Sequence, residues 1–387
     1  MAGKRDRVPG KKVRCPGGYL AFVPHPLPPE LNWTPKLVTA LSDADRLIGR
    51  LAGEGGKLPN PHLLMRPFVA REAVLSSRIE GTRATLGELL ADAAGASVER
   101  SPHDLREVAN YVVALEHGIR RLEKLPLSLR LIREIHGKLM AGVRGNVATP
   151  GEFRRSQNWI GQAGSTPATA AYIPPPPAEM TACLDHLEKF LHETVLPPLV
   201  QVALVHYQFE AIHPFLDGNG RVGRLLVTLF LVQRRILPTP LLYLSAFFEA
   251  TRREYYEGLQ GVTERGEWER WLGYFLNGVA RQSEDALGRA ERINRHLSAW
   301  RVEIAGISSK TPALLLERLS ANPFQTVRMA AREMGMAFTT VQRAMEKLES
   351  LSIVSEVSGG KRDRVYCAKA LMDILEEPAK LAPSGPT

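Results

Sequence analysis

His213-Pro214-Phe215-Leu216-Asp217-Gly218-Asn219-Gly220-Arg221-Val222-Gly223-Arg224 decides how this chain is read. The run joins an imidazole, a carboxylate, a glycine-rich turn and two guanidinium groups. It passes directly into the apolar stretch Leu225-Leu226-Val227-Thr228-Leu229-Phe230-Leu231-Val232. This layout predicts a loop that delivers ligand-binding groups to the start of a buried helix. Helix starts attract phosphate, because the first N–H groups and the positive end of the dipole face the same anion. Gly218 and Gly220 flank Asn219 and let the backbone come close to a bulky ligand with its N–H donors presented. Arg221 and Arg224 stand three apart, neighbours on a helix, and each can fork onto phosphate oxygens. Asp217 offers a hard oxygen to Mg²⁺, which needs only one or two protein carboxylates when phosphates supply other ligands. His213 can stand neutral near pH 7 and take a proton from an attacking hydroxyl.

The rest of the composition fits an ordinary globular protein. The chain has 387 residues, enough for two or three domains, with 44% hydrophobic and 24% charged residues. It holds no apolar run of about 18 residues, so no membrane span is expected. The opening Met1-Ala2-Gly3-Lys4-Arg5-Asp6-Arg7 is basic with no apolar segment behind it, so no signal peptide is expected either. Cys15, Cys183 and Cys367 are scattered, which suits neither a disulfide framework nor a metal cluster and points to a reducing cytoplasm. A net charge of +9 favours polyanionic partners such as nucleotides or nucleic acid. Part of the excess, Lys4, Arg5, Arg7, Lys11, Lys12 and Arg14, reads as a flexible basic tail over residues 1–25.

Helical periodicity dominates from residue 34 onward. Leu37, Leu41, Ala44, Leu47 and Ile48 predict a helix over 34–51, ended by Ala52 and Gly53 and followed by a loop through Gly55-Gly56 and Pro59-Asn60-Pro61. Further helices are predicted over 63–78, 103–122, 128–141, 180–191 and 199–212, the last leading straight into His213. Asn158-Trp159-Ile160-Gly161 and Ala171-Tyr172-Ile173-Pro174 read as two short strands, and Pro174 to Pro177 as a stiff exit. Residues 285–305 are helical and highly charged, a connector. Beyond them, helices over 312–319, 326–334 and 339–351 and strands over 353–357 and 364–367 are predicted. Three helices and a hairpin resemble a winged helix, in which Phe338-Thr339-Thr340-Val341-Gln342-Arg343 could enter a DNA major groove while Lys361 and Arg362 ride beside the phosphates. The same layout also suits a docking or dimerisation module.

The His213–Arg224 segment resembles the signature of the Fic (Fido) family, filling every fixed position of His-x-Phe-x-Asp/Glu-Gly-Asn-Gly-Arg-x-x-Arg. Residues 158–177 resemble the family's flap hairpin. Ser76-x-x-x-Glu80-Gly81 resembles its inhibitory motif, here ahead of the core. The resemblance implies a mainly α fold: a Fic-type helical core with a small β-hairpin flap, plus a C-terminal winged-helix domain. It divides the chain into the tail at 1–25, an N-terminal helical region with the inhibitory helix at 26–100, the core at 101–285, a connector at 286–310, the winged helix at 311–372 and a tail at 373–387.

The activity implied is transfer of AMP from ATP to a Tyr, Thr or Ser hydroxyl of a protein, releasing pyrophosphate. His213 would be the catalytic base and Asp217 would hold Mg²⁺. Gly218, Asn219, Gly220, Arg221, Val222, Gly223 and Arg224 would line the nucleotide, with Arg224 on the γ-phosphate and Tyr256 on adenine. Asn158, Trp159, Ile160, Gly161, Ala171, Tyr172 and Ile173 would dock the target by strand addition. Glu80 would occupy Arg224, repel the triphosphate and turn its α-phosphate away from the hydroxyl, with Ser76 and Gly81 completing the motif. Implied partners are ATP, an unidentified protein target, the chain itself as target, a second copy in a homodimer, and DNA through the winged helix. Removal of AMP or transfer of another phosphate moiety on the same fold is one alternative. A DNA-binding regulator that only senses nucleotide is another.

Overall fold

The computed structural model describes residues 8–57, 61–98, 102–143, 149–162, 164–237, 240–359 and 363–381. They fall into two compact units that interleave along the chain: residues within 1–49, 113–238 and 247–280, and residues within 50–112, 239–246 and 281–387. The architecture is mainly α with small antiparallel β elements.

The first unit is built on two helices that are mostly apolar and buried on nearly every side. In α7 (Pro198–Ile212) every residue except Pro198 and Glu210 is buried, and α8 (Asn219–Gln233) is buried from Arg221 to Leu231. They pack on each other, with α6 (Pro177–His192) against α7 and α5 (Leu129–Leu139) against α8. Proline at the first position starts α6 and α7, where its missing N–H costs nothing. The Ser128 hydroxyl caps α5 by accepting from the Leu131 N–H at 3.4 Å. Helices α9 (Ser245–Ala250) and α10 (Arg252–Arg265) and the first part of α11 (Trp268–Ile304) supply the aromatic side chains Phe248, Tyr255, Trp271 and Phe275 to this core.

Two expectations in this unit are corrected. Residues 8–25 are no loose tail: β1 (Gly10–Arg14) pairs antiparallel with β2 (Leu20–Pro24), while Lys4, Arg5 and Arg7 lie outside the described residues. The hairpin holds because Cys15 and Ala21 bury themselves with Ile173, and the Phe22 N–H donates to the Ile173 carbonyl at 2.8 Å. The two flap strands shrink to a single antiparallel bridge, Ile160 to Tyr172. Pro174 to Pro177 have no N–H to continue a ladder, and Trp159 Nε1 bonds the Ser165 carbonyl at 2.8 Å, closing the segment early.

The second unit carries α2 (Pro61–Ile79), α3 (Leu86–Ala93) and the C-terminal elements. Thr85 and Glu88 form a full capping box that starts α3, a helix absent from the periodicity reading. Helices α12 (Thr311–Ala321), α13 (Val327–Met334) and α14 (Phe338–Ser350) stand with a three-stranded sheet in the order β3 (Phe324–Thr326), β5 (Val365–Cys367), β4 (Ser355–Glu356). Helix α15 (Lys369–Glu376) follows, so residues 373–376 continue a helix where a tail is expected. α12 and α15 both pack on α2. Asn322 Nδ2 donates to the Leu90 carbonyl at 2.9 Å, and Thr326 Oγ1 to the Ala94 carbonyl at 2.9 Å.

Helix α1 (Pro35–Lys57) runs four residues past its expected stop at Gly53, and α4 (Pro102–Leu122) matches its expected range. The charged stretch 285–305 is the second part of one 37-residue helix, α11, rather than a separate connector. Asp285 and Arg289 there are both buried and paired, Arg289 Nε to Asp285 Oδ2 at 2.8 Å.

Candidate active site

The site grows from the junction of α7 and α8. His213 is the C-cap of α7 and takes a left-handed conformation, φ 48°, rare for a residue with a side chain. Its N–H still bonds the Phe209 carbonyl at 3.0 Å. The imidazole Nδ1 lies 3.4 Å from the Glu210 carbonyl, which can only accept; that contact selects the tautomer with the lone pair on Nε2.

The loop beyond His213 is fixed by its own side chains. Asn219 Oδ1 accepts from the Phe215 N–H at 2.8 Å, and Asn219 Nδ2 returns a bond to the Phe215 carbonyl at 2.8 Å. Gly218 caps α8 at φ 78°, and its N–H donates to Asp217 Oδ1 at 2.6 Å. A Cβ at Gly218 would stand 2.9 Å from Met140 Sδ, so glycine answers both the backbone and the space. Arg221 and Arg224 are buried within α8. Arg221 Nη2 lies 3.7 Å from Asp217 Oδ1 and 3.8 Å from Met140 Sδ. Gly223 is held from behind: His206 Nδ1 donates to its carbonyl at 3.1 Å, and the Tyr255 hydroxyl donates to His206 Nε2 at 3.0 Å.

Two residues that shape this loop carry no signal in the local pattern. His136 on α5 accepts from the Gly151 N–H at Nδ1, 2.9 Å, so Nε2 holds its proton and donates to the Asp217 carbonyl at 3.0 Å. Its ring stacks on Phe215 at 3.7 Å. Burial pushes its pKa down to about 4, so it is neutral at pH 7. Arg154, 2% exposed, donates from Nε to the His213 carbonyl at 2.9 Å. Their partners lie 81 and 59 positions away, which no short motif encodes.

Among the flap residues, Asn158 Nδ2 donates to the Phe215 carbonyl at 2.8 Å and the Tyr172 hydroxyl to the Ala211 carbonyl at 2.6 Å. Trp159, Ile160, Gly161 and Ala171 are exposed. Ile173 instead turns into the Cys15 and Ala21 cluster, so it presents nothing outward. Tyr255 belongs to the core, whereas Tyr256 is 44% exposed beneath the Arg252 guanidinium at 5.9 Å. In the second unit Ser76 is fully buried, Glu80 is exposed in the turn after α2, and Gly81 follows at φ 100°.

Asp217 is the acidic group at the mouth of the loop, 58% exposed. Among the described residues no three His, Cys, Asp or Glu side chains gather as a metal cage. One hard carboxylate beside a helix start fits Mg²⁺ only if phosphate oxygens complete its shell.

An imidazole beside a helix N-terminus that carries two buried guanidinium groups defines a protein equipped for a phosphate-bearing ligand. Residues 38–120 match the Fic/DOC family N-terminal model, and residues 126–231 match the Fic/DOC family model. Over these two stretches the chain carries a Fic N-terminal domain and a Fic domain.

Protein adenylyltransferase Fic of Drosophila erecta is 34% identical over 115 residues, which are 29% of this chain and 21% of the relative. The Aedes aegypti protein of the same name is 31% identical over 141 residues, 36% of this chain and 25% of that one. The chain thus aligns with about a quarter or less of the length of these relatives. A Fic family protein from Desulfovibrio desulfuricans G20 superposes with a TM-score of 0.59 at 21% identity, covering 88% of this chain and 98% of that one. At that identity the likeness speaks for the fold.

Proposed function

We propose that this protein transfers AMP from ATP to a hydroxyl of a protein, with Glu80 as a built-in brake. The observation that carries the reading is the placement of His213 five residues before Gly218, at the end of one buried helix and beside the start of the next. Base and anion cradle therefore share a single pinned loop. The names of the Drosophila and Aedes relatives point the same way.

In this reading the target oxygen attacks the α-phosphorus as His213 Nε2 accepts its proton. The new oxygen–phosphorus bond replaces the bond to the bridging oxygen, and pyrophosphate departs. The α8 N-terminus and Arg221 receive the charge that develops on the phosphates, and Arg224 takes the terminal phosphate. Asp217 would hold Mg²⁺, which when bound neutralises charge on the phosphates. Tyr256 offers an exposed ring for adenine. The outward arm Trp159–Gly161 would register the target, since Ile173 on the other arm is buried.

Glu80 would compete for Arg224 with the terminal phosphate. A misplacement of about an ångström in the reacting atoms can cost about a hundredfold in rate. The test is labelling with ATP carrying a tagged α-phosphate. Glu80→Gly should raise transfer to protein, including to the chain itself, and adding His213→Ala should abolish it while nucleotide still binds. Unchanged labelling after both substitutions removes the assignment.

A second reading adds to this one. We take residues 311–372 as a winged helix whose α14 presents Phe338, Thr339, Thr340 and Arg343, all exposed, to DNA; Lys361 and Arg362 lie outside the described residues. It predicts retention of a labelled duplex that weakens steeply with salt and weakens further in Arg343→Ala. Retention with no salt dependence would instead favour a protein-docking module.

A further inference from the structure

The carbonyls from Ala211 to Phe215 are all taken by one short segment. Ala211 accepts from the Tyr172 hydroxyl at 2.6 Å, and Ile212 from Arg154 Nη2 at 3.4 Å. His213 accepts from Arg154 Nε at 2.9 Å, Pro214 from the Arg154 N–H at 2.9 Å, and Phe215 from Asn158 Nδ2 at 2.8 Å. Arg154 alone meets three of these five consecutive carbonyls. The last carbonyls of a helix have no intrahelical donors and carry the negative end of its dipole, so a buried cation is well suited to them. The remaining guanidinium bonds go back to the flap arms, from Nη1 to the Ser156 carbonyl at 3.2 Å and from Nη2 to the Pro175 carbonyl at 2.5 Å.

We infer that Arg154 is a positioning residue that sets the orientation of His213 and ties it to the flap. It touches no reacting atom. Its fork fixes the carbonyl of a residue held at φ 48°, a conformation that relaxes readily once its hydrogen bonds are lost. The same fork spans both arms of the flap, so a target laid along the flap is referenced directly to the imidazole. Lysine cannot substitute, because a single ammonium cannot reach carbonyls spread over a plane as a guanidinium does.

The inference rests on His213 being the base, and the experiment separates the two. In a Glu80→Gly background, the rate of self-labelling is followed against ATP concentration, with folding monitored by thermal melting. Arg154→Ala should lower the saturating rate about tenfold to a hundredfold and leave the half-saturating ATP concentration within about twofold. Guanidinium at low millimolar concentration should restore part of the rate, and ammonium should not. Arg154→Lys should fold and remain slow.

If the Glu80→Gly form shows no labelling that depends on His213, the proposed activity itself fails. If labelling is present but Arg154→Ala or Arg154→Lys keeps the full saturating rate, or loses only ATP affinity, the positioning role fails. An Arg154→Lys chain that cannot fold marks a purely structural residue and overturns the inference as well.

Discussion

Asn219 is the side chain on which the loop between α7 and α8 closes. Both of its polar ends are spent on Phe215, one as acceptor and one as donor. Asn219→Asp keeps the acceptor but sets a carboxylate oxygen against the Phe215 carbonyl. It should cost on the order of 2 kcal/mol in chemical denaturation, about the penalty of a buried polar mismatch, and abolish transfer. Gly218→Ala should destabilise by about 1–2 kcal/mol, the cost of left-handed backbone with a Cβ, before any push against Met140 Sδ is added. Only the tight turn around Gly218 and Asn219 was legible in the sequence, because it lies inside one short run. Arg154 and His136 were not, since what they bind is backbone supplied by a distant helix end.

At the scale of elements, α5 and α7 each bury a neutral histidine that supports the site. Burial pushes His136 down to about 4 and His206 down to about 3, from an ordinary 6.5. Below about pH 6.5 the unfolded chain binds protons that the folded chain refuses, until the folded values are reached. Stability therefore rises with pH across that window and falls as the solution is acidified through it, by up to about 1.4 kcal/mol per pH unit for each group. Urea midpoints measured at pH 7.0 and 5.0 should show this loss, and His136→Gln should lose less between the two values.

The helices themselves were readable from apolar spacing, but the N-terminal hairpin was not. Glycine, proline and basic residues mask it, and its stability comes from Ile173, more than a hundred positions on. Helix α3 escapes apolar spacing although Thr85 and Glu88 announce it, because eight residues give too few turns for periodicity to stand out.

For the molecule as a whole, the charged half of α11 has a structural task in its own unit. Arg289 bonds the carbonyls of Ile374, Glu377 and Pro378 while paired to Asp285. Asp285→Ala strands a buried guanidinium and should cost about 3–5 kcal/mol, read as an earlier melting step. By contrast, the Arg292 and Glu377 pair is 40% and 39% exposed, and Glu377→Ala should change stability by less than about 1 kcal/mol.

The dependence of α2 and α3 on the C-terminal elements has a practical reach. A recombinant fragment stopped at Ser309 keeps every residue of the His213–Arg224 run, yet it lacks Asn322 and Thr326 for the Leu90 and Ala94 carbonyls and bares the side of α2 that α12 covers. Such a fragment should scatter light and resist concentration, and any catalytic rate measured on it would describe a damaged molecule rather than a liberated one.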